Sequence, residues 1–177
     1  MQVEADVAEL LLSVDAKDVF CGEEFGMYWR KTENDLFGVT EATCESERMT
    51  VFACCSMLGE KLDLTVVGSS HELLDIINKP FLQCYVDNSA WMNDAIFIEV
   101  LERINEQMQL NQRFIVLCLS HGPAMERVRD MQYSNVRVVA LSSGQSNPMR
   151  EGIVQSIKGH YRLNLTAFLN QGWFFPD

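Results

Sequence analysis

The stretch of sequence that decides the fold runs from Asn93 to Leu141 and reads NDAIFIEVLERINEQMQLNQRFIVLCLSHGPAMERVRDMQYSNVRVVAL. Two continuous apolar runs within it, Phe114–Leu119 and Val136–Leu141, have the composition of strands that are covered on both faces of a sheet. The segment between them, Pro123–Met131, can form a helix. This order of strand, helix and strand predicts a βαβ unit.

The first third of the stretch predicts an amphipathic helix from Asn93 to Met108. Its apolar residues recur at intervals of three or four, as they do on one face of a helix. They are Ile96, Phe97, Val100, Leu101, Ile104 and Met108. Either Asn93 or Asp94 can accept hydrogen bonds from the free N–H groups of the first turn, so the helix is expected to begin there.

Upstream of this helix the sequence predicts strands. Met49–Ser56 and Leu62–Val67 are expected to form an antiparallel hairpin, because a short polar connection with a glycine joins them. Asp18–Cys21 and Gly26–Trp29 are expected to be two strand pieces on either side of an acidic kink at residues 23–24. The other expected elements are a short strand near Leu36–Thr40, a short helix at His71–Ile77 and a strand at Phe81–Val86.

Both ends of the chain carry apolar residues whose contacts the sequence leaves open. At the start, the pattern of residues 1–17 predicts a helical arm with an apolar stripe. At the other end, the pattern predicts a final helix from Pro148 to Gly172, which an aromatic tail follows. Each apolar segment packs either on this domain or on another chain. The possible interface residues are Val3, Val7, Leu10, Leu11, Trp173, Phe174 and Phe175.

The order of these elements predicts an α/β domain with a mixed sheet and helices on both faces. Among such folds the ribonuclease H-like architecture begins in this order, and we expect it for residues 18–177. With 177 residues, of which 47% are hydrophobic, the chain has the size of one domain and can bury a sizeable core. No apolar run approaches the roughly 18 to 20 residues that cross a bilayer, and the acidic start is unlike a signal peptide. We therefore expect an intracellular protein without membrane contact.

The charge of the chain disfavours nucleic-acid binding. Lys and Arg number 14 against 25 Asp and Glu, a net charge of -11, which repels a polyphosphate. Four arginines that cluster in sequence between residues 113 and 137 could form a remnant DNA track, but interspersed acids favour a solvated face. They are Arg113, Arg127, Arg129 and Arg137.

The six cysteines have neither CxxC spacing nor the density of a disulfide framework. Most lie in apolar, strand-like runs, where a free cysteine behaves as a small hydrophobic residue. Cys54 and Cys55 are neighbours in a predicted strand and therefore face opposite ways. We interpret the cysteines as reduced thiols of the core.

Specific residues then point to a family. Residues 90–97, AWMNDAIF, resemble the A-W-M-x-x-x-I-F segment of the pogo/Tigger-type DDE transposase domain, which also occurs in Jerky-like and centromere protein B-like proteins. Further segments resemble that family in the same order along the chain: Glu24, Gly26 and Trp29; Glu47–Val51; Val66–Gly68; and Pro148, Gly152, Ile153, Ser156, Lys158, His160, Tyr161 and Arg162. The resemblance spans about Asp18 to Arg162 and implies a ribonuclease H-like fold.

The resemblance also implies which residues stand at the family's metal-binding aspartate positions. The family carries out metal-assisted phosphoryl transfer, in which three carboxylates hold two Mg²⁺ ions. Here the positions correspond to Glu23, Ser120 and Arg150. Ser120 is neutral and Arg150 is a permanent cation, so the resemblance implies a degenerate DDE domain without catalysis, metal or other cofactor.

Two arrangements of the degenerate positions are open. In the first, Arg150 pairs with Glu23 and fills the former metal cleft with an internal salt bridge. In the second, a shifted set of side chains gathers a softer metal such as Mn²⁺ or Zn²⁺. The shifted set would be Glu23, Glu24, His121 and Glu151. It is disfavoured because Glu151 follows Arg150 by one helical position and points about 100 degrees away from it.

These observations lead to one expected function and one alternative. We expect a domesticated, transposase-derived domain that acts as a protein-interaction or dimerisation module in a nuclear protein of chromatin or transcription regulation. The nucleus follows from the resemblance, since no localisation signal is visible. Family transposases carry helix-turn-helix modules before this domain, whereas only 17 residues precede it here, so nucleic-acid binding through this domain alone is not expected. The alternative is a residual nucleic-acid binder or a weak metal-dependent nuclease.

Overall fold

The computed structural model describes residues 9–28, 48–69, 80–120, 128, 131–141 and 146–170. Their strands form one sheet, in the order β4-β3-β2-β1-β5-β6. The strands are β1 (Val19–Tyr28), β2 (Arg48–Ser56), β3 (Leu64–Gly68), β4 (Leu82–Val86), β5 (Ile115–Ser120) and β6 (Val136–Leu141). The long helices are α1 (Asp94–Leu110) and α2 (Val154–Asn170), and a 3-10 turn at Ala16–Asp18 leads into β1.

The sheet is mixed, as the sequence predicted. β2 pairs antiparallel with β1 and with β3, which confirms the predicted hairpin. The pairs β1–β5, β5–β6 and β3–β4 are parallel, so β2 runs against the other five described strands. The carboxyl ends of β1 and β5 therefore meet at the same edge of the sheet.

One face of the sheet is covered by α1. The helix begins as predicted, because the Asn93 side chain accepts a hydrogen bond from the Ile96 amide. Its buried face carries the six apolar residues of the predicted stripe. They pack on the α1-facing side chains of the central strands, among them Phe20, Phe52, Leu117 and Leu119.

The opposite face is covered by α2 and by the beginning of the described chain. Val154, Ile157 and Tyr161 of α2 pack with Phe25 and other side chains of β1, β2 and β3. Further along this face, Leu10, Leu11 and Val14 pack against a cluster of β1, β5 and β6 side chains, and residues 9–13 are helical. Helices on both faces are thus confirmed.

The predicted kink at residues 23–24 is wrong. β1 is continuous over Val19–Tyr28, and Glu23 and Glu24 pair in register with Ala53 and Phe52 of β2. In the sequence, Gly22 and the two acids that follow it interrupt an apolar run, and this pattern indicates two strand pieces. The strand accommodates Glu23 because neighbouring elements supply it with hydrogen-bond donors, which are described below.

The last helix also differs from its prediction. A wide helical turn at Met149–Ile153 comes first, and the regular helix begins at Val154, because the backbone at Gly152 leaves helical geometry with a ψ of -27° and a φ of 175°. The predicted strand near residues 36–40, the helix at 71–77 and most of the helix at 123–131 lie outside the described residues. In the described part of the chain, we find no helix with the length and apolarity that crossing a bilayer requires.

Candidate functional site

The site begins with a buried carboxylate in the middle of β1. Glu23 is 7% exposed and points to the α2 face of the sheet. Gly22 and Leu119 are register partners on β1 and β5, so Glu23 and Ser120 lie one step beyond them on neighbouring strands. The Ser120 hydroxyl donates a hydrogen bond to Glu23 Oε2 at 2.6 Å. Two positions that lie 97 residues apart in sequence are therefore in direct contact.

Close packing beneath this pair requires a glycine. A Cβ at Gly22 would lie 2.8 Å from Leu119 Cδ2 and 2.9 Å from Cys54 Sγ. Real Cβ atoms do not approach other atoms so closely, so a larger residue would have to displace side chains of the core. Because Gly22 has no side chain, the α1-facing side chains of the neighbouring strands can pack directly against the β1 backbone next to Glu23.

Asn147 completes the polar cluster from the segment that precedes the wide helical turn. Its side-chain amide donates to Glu23 Oε2 at 2.9 Å, and the same nitrogen lies 2.8 Å from Ser120 Oγ and 3.2 Å from the Gly22 carbonyl. Its Oδ1 accepts a hydrogen bond from the Met149 amide. The sequence analysis missed this residue. An asparagine before Pro148 signals a helix start, but nothing local shows that its amide reaches Glu23.

Arg150 approaches the same carboxylate from its solvent side. Its Nε lies 2.6 Å from Glu23 Oε1, while its side chain remains 62% exposed. The main chain brings it there, because the Arg150 and Glu151 amides both donate to the Asn147 carbonyl at the start of the turn. The salt bridge that the sequence analysis proposed between Arg150 and Glu23 is therefore present.

The side chains of this polar cluster do not fit the metal ions that the family's chemistry uses. Glu23 Oε1 faces a permanent cation, and Glu23 Oε2 accepts from a hydroxyl and an amide. Mg²⁺ requires hard oxygen ligands in near-octahedral geometry, and it is usually bound through carboxylates. The cluster offers one carboxylate that already accepts three donors, and beside it a guanidinium that repels divalent cations.

The shifted metal site is not assembled as proposed. Glu24 follows Glu23 in a continuous strand and therefore points to the other face of the sheet. Glu151 is exposed, and His121 lies outside the described residues. Over the described ranges, no group of three or more His, Cys, Asp or Glu side chains is arranged to hold an ion.

The proposed interface residues fall partly within the described chain. Leu10 and Leu11 are half-buried against the protein's own sheet. Val3 and Val7, and the aromatic residues Trp173, Phe174 and Phe175, lie outside the described residues. The contribution of these segments to an interface stays a prediction, as does the domain boundary after residue 17.

The arginines proposed as a DNA track are also partly described. Arg113 is held by acids, with its guanidinium 2.7 Å from Asp18 Oδ1 and 2.7 Å from Glu60 Oε1. Arg137 is exposed on β6, and Arg127 and Arg129 lie outside the described residues. A side chain that is held between two carboxylates is a poor phosphate ligand.

Comparison with known proteins places this geometry in a family. The sequence profile described as "DDE superfamily endonuclease" matches residues 46–172. Tigger transposable element-derived protein 4 of Mus musculus is 28% identical over 156 residues, covering 82% of this chain and 30% of that protein. CENP-B homolog protein 2 of Schizosaccharomyces pombe is 26% identical over 178 residues, covering 88% of this chain and 34% of that protein. The chain thus spans about a third of the length of these curated relatives.

Solved structures support the fold. The Mos1 transposase catalytic domain, determined with raltegravir and Mn, has a TM-score of 0.53 at 9% identity, over 99% of this chain and 79% of that chain. The Mos1 mariner paired end complex with Mn has a TM-score of 0.54 at 12% identity, over 99% and 53%. At such identities the likeness concerns the fold, which is ribonuclease H-like as predicted. Since the family profile covers most of the sequence, this chain belongs to the DDE superfamily endonucleases and is homologous to their pogo/Tigger-type transposase-derived members.

Proposed function

We propose that this DDE domain is catalytically inactive and serves as a protein-interaction or dimerisation module in a nuclear protein of chromatin or transcription regulation. One observation carries the loss of catalysis. Both carboxylate oxygens of Glu23 are engaged, Oε1 by Arg150 and Oε2 by Ser120 and Asn147. The family's chemistry needs that carboxylate to share divalent ions with two others. Here the corresponding neighbours are a hydroxyl and a guanidinium.

The electrostatics of the cluster support the same conclusion. A divalent ion beside Glu23 would lie close to the Arg150 cation, and their repulsion is large in a partly buried site. Removing Arg150 from the carboxylate would free one oxygen but would supply no second carboxylate. Binding of a metal is therefore expected to be weak, and positioning of a second metal is not supported.

A plasmid-nicking assay tests the loss of catalysis. Supercoiled DNA is incubated with the wild-type chain and either Mg²⁺ or Mn²⁺, with Glu23→Gln as the site variant and Glu106→Gln, an exposed position on α1, as the matched control. We expect no metal-dependent nicking above the buffer control. Nicking that is equal in all three proteins identifies a contaminant and leaves the proposal intact. Nicking that requires Mn²⁺ and disappears in Glu23→Gln alone would refute it.

An interaction role is supported by exposed apolar side chains along the edge of the sheet opposite the polar site. At this edge β1, β4 and β5 begin and β2 ends. The exposed residues there are Met57, Leu58, Phe81, Leu110 and Phe114. Apolar side chains that gather on one end of a soluble domain are typical of contacts with another protein.

This role is tested by affinity purification of the tagged full chain from nuclear extract. The surface variant is Phe81→Glu combined with Phe114→Glu, and the control is Gln109→Glu, which is exposed on α1. We expect the wild type and the control to recover specific nuclear proteins. The surface variant should recover at least several-fold less of these proteins. Sedimentation velocity on the same three proteins shows whether one partner is a second copy of the chain. Recovery of ribosomal background alone would contradict the interaction role.

The alternative, a residual nucleic-acid binder, lacks a supporting observation. The net charge of -11 opposes the approach of a polyphosphate. Arg113 and Arg150 are each held by carboxylates. We expect no shift of a short DNA duplex at micromolar protein in low salt, measured by electrophoretic mobility. A salt-sensitive shift that Arg137→Ala weakens would favour the alternative.

A further inference from the structure

Three cysteines lie side by side on the face of the sheet that carries Glu23. Cys21 on β1 is the register partner of Cys55 on β2 and of Cys118 on β5. Because register partners on adjacent strands share a face, the three thiols form a row across the centre of the sheet. Cys54, the sequence neighbour of Cys55, points into the core beneath α1.

The outer two thiols have different partners. Cys118 is the register partner of Cys21 on β5, whereas Cys55 donates to the Met149 sulfur at 3.4 Å. Cys118 is only 2% exposed, and Cys21 is half-buried. Since Cys55 is engaged by Met149, Cys21 and Cys118 are the two neighbouring thiols of the row that can react with each other, one half-buried and one buried.

We propose that Cys21 and Cys118 form a reversible disulfide when the protein meets a two-electron oxidant such as hydrogen peroxide. The Cys21 sulfur attacks the peroxide O–O bond, giving a sulfenic acid and one molecule of water. The Cys118 sulfur then attacks the Cys21 sulfur, and the sulfenic hydroxyl leaves with the Cys118 proton as a second water. The two thiols are oxidised by two electrons in total, and the peroxide is reduced to two waters.

The backbone geometry suits this bond. Neighbouring strands lie about 4.7 to 4.9 Å apart, which falls inside the usual range of about 4.4 to 6.8 Å between the Cα atoms of a disulfide. The neighbouring Cys118 side chain also lowers the pKa of Cys21, while Cys21 and burial raise the pKa of Cys118, so Cys21 is the thiol that supplies the thiolate for the reaction with peroxide.

The position of the pair connects it to the polar cluster. Cys21 and Cys118 precede Glu23 and Ser120 by two residues on the same strands, so they share a face with them. A disulfide here would join β1 to β5 directly beside the Glu23–Ser120 hydrogen bond. This inference does not depend on the proposed function of the domain.

Peptide mapping tests the proposal on the full chain. The protein is treated with hydrogen peroxide, free thiols are blocked with N-ethylmaleimide, and the digest is analysed by mass spectrometry with and without dithiothreitol. The variants are Cys118→Ser, Cys55→Ser and, as a control on β4, Cys84→Ser. We expect a Cys21–Cys118 linked peptide in the wild type, Cys55→Ser and Cys84→Ser, and its loss on reduction. Cys118→Ser is also oxidised in the presence of dimedone, which traps sulfenic acids. In this variant a dimedone adduct on Cys21 is expected to replace the linked peptide.

Two results would contradict the proposal. The first is a Cys21–Cys55 peptide in the wild type, which would assign the bond to the other neighbour. The second is the persistence of unmodified Cys21 and Cys118 at peroxide concentrations that oxidise exposed methionines. If Cys118→Ser does not fold, the wild type and Cys55→Ser still decide between these outcomes.

Discussion

At the scale of single residues, Asn147 is the side chain that joins the parts of the polar site. Its amide contacts β1 through Glu23 and the Gly22 carbonyl, and β5 through Ser120. Its carbonyl oxygen accepts from the amide of Met149 at the start of the last helix. The Asn147 side chain is 5% exposed, and replacing it is costly because Glu23, one of the partners that would lose a hydrogen bond, is also buried.

Changing Asn147 to Asp is expected to destabilise the fold at neutral pH. The substitution keeps the acceptor for Met149 but replaces the donor to Glu23 by a second buried carboxylate, at a cost of about 3 kcal/mol. Asn105→Asp is the matched control, since Asn105 acts as an acceptor for the Asn135 amide, and its expected cost is below about 1 kcal/mol. Urea unfolding of both variants measures the difference, and equal costs would show that Asn147 is not a donor to Glu23.

Gly22 and Gly159 are expected to respond in opposite directions to substitution by alanine. At Gly22 the new Cβ would meet Leu119, Cys54 and Phe52 within 3.0 Å, so overpacking should destabilise by about 1 to 3 kcal/mol. At Gly159, within α2, the new Cβ would meet no atom of the described residues within 4 Å apart from the nearby backbone of its own helix, and the helix should gain about 0.5 to 1 kcal/mol. Thermal unfolding of the two variants checks the signs, and a neutral Gly22→Ala would contradict the close packing.

At the scale of elements, residues 90–97, the segment that first indicated the family, hold the start of α1 against β1 and β2. The Arg48 guanidinium stacks on the Trp91 ring, 3.4 Å from its centroid, and it lies where it would come within 3.1 Å of a Cβ at Gly26. The buried Thr50 hydroxyl donates to the Ala90 carbonyl at 2.7 Å. Three of the segments that resemble the family thus meet at one place in the fold, where β1 and β2 receive the start of α1.

The turn before α1 is expected to make the stability of the fold depend on pH in the acid range. Hydrogen bonds from the Ser89 side chain and backbone, with a smaller contribution from Asn93, hold the pKa of Asp87 below its usual value. A carboxylate with a lowered pKa in the folded state stabilises above its unfolded pKa, and this contribution disappears as the pH falls through the folded value. Asp87→Asn should therefore be less stable than the wild type at neutral pH, and the difference should shrink as the pH falls below the usual aspartate value of about 4.

Urea midpoints of the wild type and Asp87→Asn across this pH range measure the effect. Asn93→Ala serves as a comparison, because it removes the α1 cap and should cost about 1 kcal/mol with a much weaker dependence on pH. A constant difference between Asp87→Asn and the wild type at every pH would show that Asp87 does not titrate in this way.

At the scale of the whole molecule, Arg113 joins parts of the chain that are distant in sequence. Its guanidinium binds Asp18 before β1, Glu60 between β2 and β3, and the Lys17 carbonyl. Arg113 itself precedes β5. The planar guanidinium reaches the three partners with N–H donors spread over separate nitrogens, a geometry that the single nitrogen of an ammonium group does not reproduce.

Replacement of Arg113 by Lys is therefore expected to cost about 1 to 2 kcal/mol. Arg103→Lys is the matched control, because the Arg103–Glu99 pair lies on the surface of α1 with both side chains about half exposed, and its expected effect is below about 0.5 kcal/mol. Urea unfolding of both variants at low and high salt measures the two losses of stability. Salt is expected to change the loss caused by Arg113→Lys more than the loss caused by Arg103→Lys. Equal costs for the two substitutions would mean that the Arg113 contacts add nothing to stability.

Much of the fold could be predicted from the sequence, because its elements leave local signals. The apolar period of α1, its Asn93 cap and the runs of β5 and β6 are properties of consecutive residues, and the structure confirms the helix, its cap and both strands. β5 is buried almost throughout as predicted, but β6 is not covered on both faces, because Arg137 and Ala140 are exposed. The continuity of β1 was not predictable in the same way. Its two adjacent acids indicate a break unless the donors that surround Glu23 are known.

The sequence by itself determined the fold class, the family and the residue types at the degenerate positions, because periodicity and motif order can be read along the chain. Only the tertiary structure decided how those residues meet. It placed Arg150 on Glu23, brought in Asn147 from the helix start, and aligned Cys21 with Cys118. Such contacts depend on strand register and helix placement, which bring together residues about 100 positions apart without leaving a local pattern.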